Sequence, residues 1–160
     1  DVVRNRLLWD ESMYRLYGIR REDFNGAYEA WFRCIHPDDA ALTDHAIQAA
    51  LSGEKEYAPE FRIVRPDGVV RLIQAAAKTF RDQEGKPLRM IGINLDITEQ
   101  KQAEERIRLL NEQLEQRVQE RTAELEQKNS ELERMNKLFV GRELRMMELK
   151  ERIRELEGER

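Results

Sequence analysis

One cysteine, Cys34, is all the thiol the chain possesses, so no internal disulfide can form. Histidine is almost as scarce: His36 and His45 are the two present, and both lie in the first third. No glycine-rich phosphate loop exists and no histidine sits on a later helix, so this chain is expected to carry neither kinase nor cyclase chemistry. No apolar run approaches the ~18 residues of a membrane span, and the first residues do not read as a signal peptide. A soluble, cytoplasmic protein is the expectation. An excess of one charge is also missing. Residues 1–97 and 98–160 each carry 14 Lys+Arg and 16 Asp+Glu, which leaves no basic surplus for a phosphate backbone and sets nucleic acid aside.

Proline stops at Pro87, and beyond Thr98 the only glycines are Gly141 and Gly158. What fills that unbroken stretch is a heptad pattern. One phase holds Val118, Leu125, Leu132, Phe139, Met146 and Ile153; the other holds Ile107, Leu114, Arg121, Lys128, Met135, Arg142, Leu149 and Leu156. These are the a and d positions of a coiled-coil seam, with charged interruptions at Arg121 and Lys128 and a polar a position at Asn111. A helix from Thr98 to Leu156 would be roughly 90 Å long. Its stripe needs another chain to cover it, and a parallel homodimer is the simplest supply. Leu110 adds a 3-4-4 spacing through Ile107, Leu114 and Val118, a local stutter that unwinds a supercoil.

The first 97 residues change period more than once. Asp1–Val3 and Arg6–Trp9 flank a turn signal and predict two short strands. Met13, Leu16 and Tyr17 share one face of a short helix that ends at Gly18. Residues 28–32 predict another helical turn, and a helix of about 38–51 follows His36-Pro37-Asp38-Asp39, where the two aspartates cap and charge its start. Strands are then predicted over 57–64, 69–80 and 88–96, joined by Arg65-Pro66-Asp67-Gly68 and Asp82-Gln83-Glu84-Gly85-Lys86-Pro87. The expected class is α+β, a five-stranded antiparallel sheet with short helices on one face, followed by the long helix.

The order of strands and helices, His36-Pro37-Asp38-Asp39, Arg65-Pro66-Asp67-Gly68 and the closing Gly92-Ile93-Asn94-Leu95-Asp96-Ile97-Thr98 together resemble a PAS domain over about residues 1–98. The resemblance implies a small pocket between sheet and helices, and an Asp-Ile-Thr motif joining the last strand to an output helix. Glu120-Arg121-Thr122 and the run from Asn136 to Met146 are similar to signalling-helix linkers of bacterial sensor histidine kinases or diguanylate cyclases. Two parts are therefore expected: a sensor domain at 1–97, its N-terminal edge cut short, and a coiled-coil linker at 98–160.

Trp9, Tyr14, Trp31, Phe61 and Phe80 could line the implied pocket or simply fill a core. Cys34 lacks the surroundings of a reactive flavin cysteine, and the neighbours of His45 place it on a solvent face, so neither haem nor flavin is expected. Asp67, Asp82 and Glu84 are explained by turn chemistry, so no metal is expected either. Asp96, Ile97, Thr98 and Glu99 carry the coupling expectation: Asp96 caps the helix with Glu99 reaching back, while Thr98 offers a competing cap. The resulting reading is a non-catalytic relay: a sensory and dimerising module passing a conformational change to a linked output domain. A small-molecule or cofactor sensor and a purely structural dimerisation scaffold are the alternatives.

Overall fold

The computed structural model describes residues 1–158, with side chains through residue 154. It divides into two compact units, Asp1–Glu104 and the helix from Glu105 onward. The order of elements is α1 (Glu11–Tyr17), a 3-10 turn (Arg21–Asp23), α2 (Tyr28–Phe32), α3 (Pro37–Ser52), β1 (Glu60–Val64), β2 (Val70–Arg81), β3 (Pro87–Asp96) and α4 (Thr98–Gly158).

Local chemistry sets the helix ends. The Asp10 carboxylate accepts from Met13 N at 2.8 Å to open α1, and Gly18, at φ 66°, closes it in the left-handed conformation that glycine adopts without penalty. For α3 the capping expectation needs correction. His36 is the N-cap, its Nδ1 accepting from Asp38 N at 3.3 Å with Pro37 in the first turn. Asp39 reaches instead to β1, where its carboxylate accepts from Arg62 N at 2.8 Å and Arg62 Nε at 2.9 Å. The helix start is thereby tied to the sheet.

The sheet is three-stranded and antiparallel in the order β1-β2-β3. The first hairpin turns where expected, with Gly68 N donating to Arg65 O and the Asp67 carboxylate accepting from Val69 N. Phe61, Ile63, Ile73 and Ala75 point to one face and are buried against Tyr17, Trp31, Ile35, Ile47 and Ala50. The expected strand over 57–64 is shorter, because Pro59 has no N–H to give; Tyr57 makes one isolated bridge to Ala77 before it.

The five-stranded expectation does not hold. Residues 1–10 contain no strand. Asp1 and Arg6 exchange both backbone bonds, at 2.8 and 3.0 Å, and close a loop in which Asn5 takes a positive φ of 47°. That single pair cannot propagate, since Leu7 N is committed to Gly26 O and Val2 N to Leu88 O.

In the second unit the apolar residues of the expected seam with a described side chain are about half exposed, from Met146 at 50% to Leu125 at 65%. Arg121 and Lys128, which with Arg142 are the charged residues of the expected d phase, are both bound by the Glu124 carboxylate, Lys128 Nζ at 2.7 Å. Arg108 pairs with Glu105 and Glu112. The side chain of Leu156 lies outside the described residues.

Candidate functional site: an inner cavity and a strand-to-helix junction

Between the inner face of the sheet and the helices lies a cavity of about 470 Å³, walled by Trp9, Met13, Trp31, Ile47, Tyr57, Ala77, Gly92 and Asn94 among others. Its floor is unusual in composition. Inward-facing positions of β3 are Met90, Gly92, Asn94 and Asp96, while Ile91, Ile93 and Leu95 face outward. Gly92 is needed as such: a Cβ there would stand 2.5 Å from Ala76 O and 2.6 Å from Ala77 Cβ. Small residues on both strands keep the floor low and leave room above it.

Tyr28 and Tyr57 line this space, and Tyr17 stands behind its wall residues Trp31 and Asn94. Tyr17 is 1% exposed, and its hydroxyl accepts from Trp31 Nε1 and from Asn94 Nδ2, each at 2.9 Å. Burial pushes its pKa up. Tyr28 donates its hydroxyl to Asp44 at 3.1 Å, and burial and that carboxylate raise its pKa as well. Tyr57 differs. Its hydroxyl is buried without any hydrogen-bond partner, and burial alone raises its pKa. An orphaned hydroxyl costs roughly 1–3 kcal/mol relative to a paired one.

Of the residues singled out from sequence, Trp9 and Trp31 reach the cavity wall. Phe61 is core, meeting the Trp31 ring edge-on at 5.9 Å. Tyr14 packs against Trp9 and Phe24 and is not part of the wall. Phe80 is corrected outright: strand parity sends Ile73, Ala75, Ala77 and Thr79 inward, so Phe80 lies outside, 36% exposed, under the Arg89 guanidinium. Neither Cys34 nor His45 is among the wall residues. Asn94, Tyr17, Tyr28 and Tyr57 were missed. The glycine and asparagine alternating with three aliphatics in Ile91-Gly92-Ile93-Asn94-Leu95 were the available signal.

At the end of β3 the chain turns into α4 through Ile97, which is buried and whose N–H donates to Leu72 O at 2.9 Å. Thr98 joins three things. Its hydroxyl accepts from Leu72 N of β2 at 2.8 Å and donates to Asp96, and its own N–H donates to the same carboxylate at 3.0 Å. Arg71 stands 3.6 Å from the other Asp96 oxygen. Burial pulls the Asp96 pKa upward, but the Thr98 bonds and the charges of Arg71 and Arg65 outweigh it and hold the carboxyl below its usual range. The capping box is therefore corrected: Glu99 is exposed and takes no part, and the Thr98 hydroxyl is spent on the sheet rather than on the helix.

A family model described as "PAS fold" matches residues 6–94. Among curated proteins, the chain is 34% identical over 105 residues to the probable diguanylate cyclase DgcE of Escherichia coli K12, covering 66% of this chain and 9% of that protein. It is 29% identical over 108 residues to the sensor protein FixL of Bradyrhizobium diazoefficiens, covering 68% of this chain and 21% of that protein. The chain thus spans a minor part of the relatives it matches. Among solved structures, a sensory box histidine kinase/response regulator from Burkholderia thailandensis superposes with a TM-score of 0.55 at 27% identity, over 67% of this chain and 79% of that one. No helix among the described residues is long and apolar enough to cross a membrane.

Proposed function

Because the chain belongs to the PAS fold family across residues 6–94, we propose that it is the sensing and dimerising part of a cytoplasmic signalling protein. In this reading residues 1–97 sense, and residues 98–160 pair as a parallel two-stranded coiled coil. The pair relays a conformational change to a covalently linked output domain of the histidine kinase or diguanylate cyclase kind; no catalysis belongs to the chain itself. The observation that carries the reading is the junction. β3 passes through one residue into a 61-residue helix, and Thr98 fastens that helix start to both β2 and Asp96. A strand that shifts must act on the first turn of α4. The apolar a/d stripe, half exposed along its length, supports pairing.

A second reading makes the cavity the point of entry for a small molecule. The partnerless Tyr57 hydroxyl favours it, since a buried orphan is what a missing ligand atom leaves behind.

Two measurements test the relay. Sedimentation should give a dimer at tens of micromolar, and a monomer there would remove the coiled coil. In the intact protein, Asp96→Ala and Thr98→Ala should uncouple output from signal while leaving the dimer in place. Regulation unchanged in both variants would sink the coupling role.

A further inference from the structure

The aromatic part of the cavity wall is fixed from behind. The Trp9 ring is stacked on Phe24, centroids 3.9 Å apart and planes 14° apart, while Trp31 donates Nε1–H to Tyr17 and Tyr28 donates its hydroxyl to Asp44. With those polar atoms committed elsewhere, what Trp31 and Tyr28 offer the cavity is ring carbon. Met13 and Met90 add thioethers, which pack well against ring edges. Charge is confined to the rim. Asp1 and Arg6 are the charged residues of the wall, and both are exposed on the N-terminal loop.

Against this apolar ground Tyr57 stands out. It is 6% exposed, and its hydroxyl has no partner among the described residues. Burial raises its pKa, so the proton stays on and the group remains a donor with nothing to donate to. Its place is close to the floor: Tyr57 bridges Ala77, whose partner on β3 is Gly92. Asn94, the next inward residue of β3, already spends one N–H on Tyr17.

We propose that the cavity takes a neutral, flat aromatic carbonyl compound of two or three rings, its oxygen accepting from the Tyr57 hydroxyl. The proposal rests on the second reading above, in which a small molecule enters the cavity. Each part of the class answers to a feature of the wall. A carboxylate carried in as far as Tyr57 would leave water without a buried cation to meet it, since Arg6 stays at the rim. Rings already held in place receive a rigid plate with little further ordering, and flat molecules stack or meet them edge-on. A space of about 470 Å³ lies within the range that holds such molecules and leaves most of their surface covered. A carbonyl oxygen supplies the acceptor that the buried O–H lacks and brings no proton of its own that would need a partner.

Equilibrium dialysis on the full chain tests each part with three probes that share one ring system. 2-Acetylnaphthalene carries the carbonyl, 2-isopropylnaphthalene puts carbon in its place, and 2-naphthoate puts a charge there. The ketone should bind at least about ten-fold tighter than naphthoate. In Tyr57→Phe, which keeps the ring, the preference for ketone over hydrocarbon should fall about five- to ten-fold while the hydrocarbon binds as before. The same preference in the wild-type chain and in Tyr57→Phe would overturn carbonyl recognition and leave the cavity a small-molecule site. Naphthoate binding as tightly as the ketone would overturn the neutral class, again with the cavity reading intact. Binding of none of the three at about 1 mM would overturn the proposal and the small-molecule reading together.

Discussion

Thr98→Val removes one oxygen from the junction and keeps the side-chain shape. Two bonds go with it. Leu72 N loses the acceptor at 2.8 Å, and the Asp96 carboxylate loses the hydroxyl donor. A half-buried backbone N–H deprived of its acceptor costs about 1 kcal/mol, and a hydrogen bond to a charged group contributes about 1.5–3 kcal/mol. The second figure must be reduced, because the Asp96 side chain is 28% exposed and water can replace part of the lost bond. A total of roughly 2 kcal/mol follows. With a urea slope of about 1.5 kcal/mol/M, the unfolding midpoint of the first unit should fall by about 1.3 M. The assay is urea titration followed by tryptophan fluorescence, since both tryptophans lie in that unit. Thr98→Ser should recover most of the loss. A change below ~0.5 kcal/mol, or a serine variant as weak as valine, would refute the argument that the hydroxyl joins sheet to helix.

Acid should loosen the same unit. Asp39 is held low by its bonds to Arg62, and Asp96 by Thr98 and Arg71. Their folded pKa values lie below the unfolded ~3.9, so the stabilisation is complete above that pH and is lost as pH falls through the folded values. Urea midpoints between pH 2 and 7 should show the decline, with a shallower slope in Asp39→Asn; an unchanged slope would count against it. Tyr57→Phe should leave stability unchanged or raise it by about 1 kcal/mol, because the hydroxyl is buried without a partner. A loss of that size in a thermal melt would mean the hydroxyl is satisfied. Arg121→Leu with Lys128→Leu should strengthen helix pairing by replacing charged d positions, raising the helical melting temperature by several degrees. An unchanged or lower melt would place those residues outside the seam.

How much could be read in advance depended on whether a signal was local. Gly18, Gly53 and Gly68 announced their turns because a positive φ is a property of the residue itself. The unbroken length of α4 was legible for a similar reason, since no proline and only Gly141 and Gly158 fall beyond Thr98. The sheet's width was not. Asp1–Val3 and Arg6–Trp9 have strand-like composition, but the bonds of Leu7 to Gly26 and Val2 to Leu88 are long-range and decide against a ladder. Phe80 misled because aromatics are counted as core, whereas strand parity put it outside. β3 misled in the opposite sense, its aliphatics outward and its glycine, asparagine and aspartate inward. The partners of the junction were half visible: Asp96 and Thr98 were named from sequence, but Leu72 and Arg71 come from a strand some 25 residues earlier, and nothing local points to them.

β2 joins the sheet, the cavity and the start of the long helix. It pairs along both edges, lines the cavity at Ala77 and bonds the start of α4 at Leu72. Five residues separate those two points, about 17 Å of strand. Because side chains alternate, a one-residue slide of β2 would turn Ile73 and Ala75 out of the core and Lys78 into it. Sliding is therefore closed to this strand, and so is any graded push along its axis. What it can do is twist or bow about fixed register, so a disturbance at Ala77 would reach Leu72 as a change of angle, and the first turn of α4 would be rotated rather than displaced.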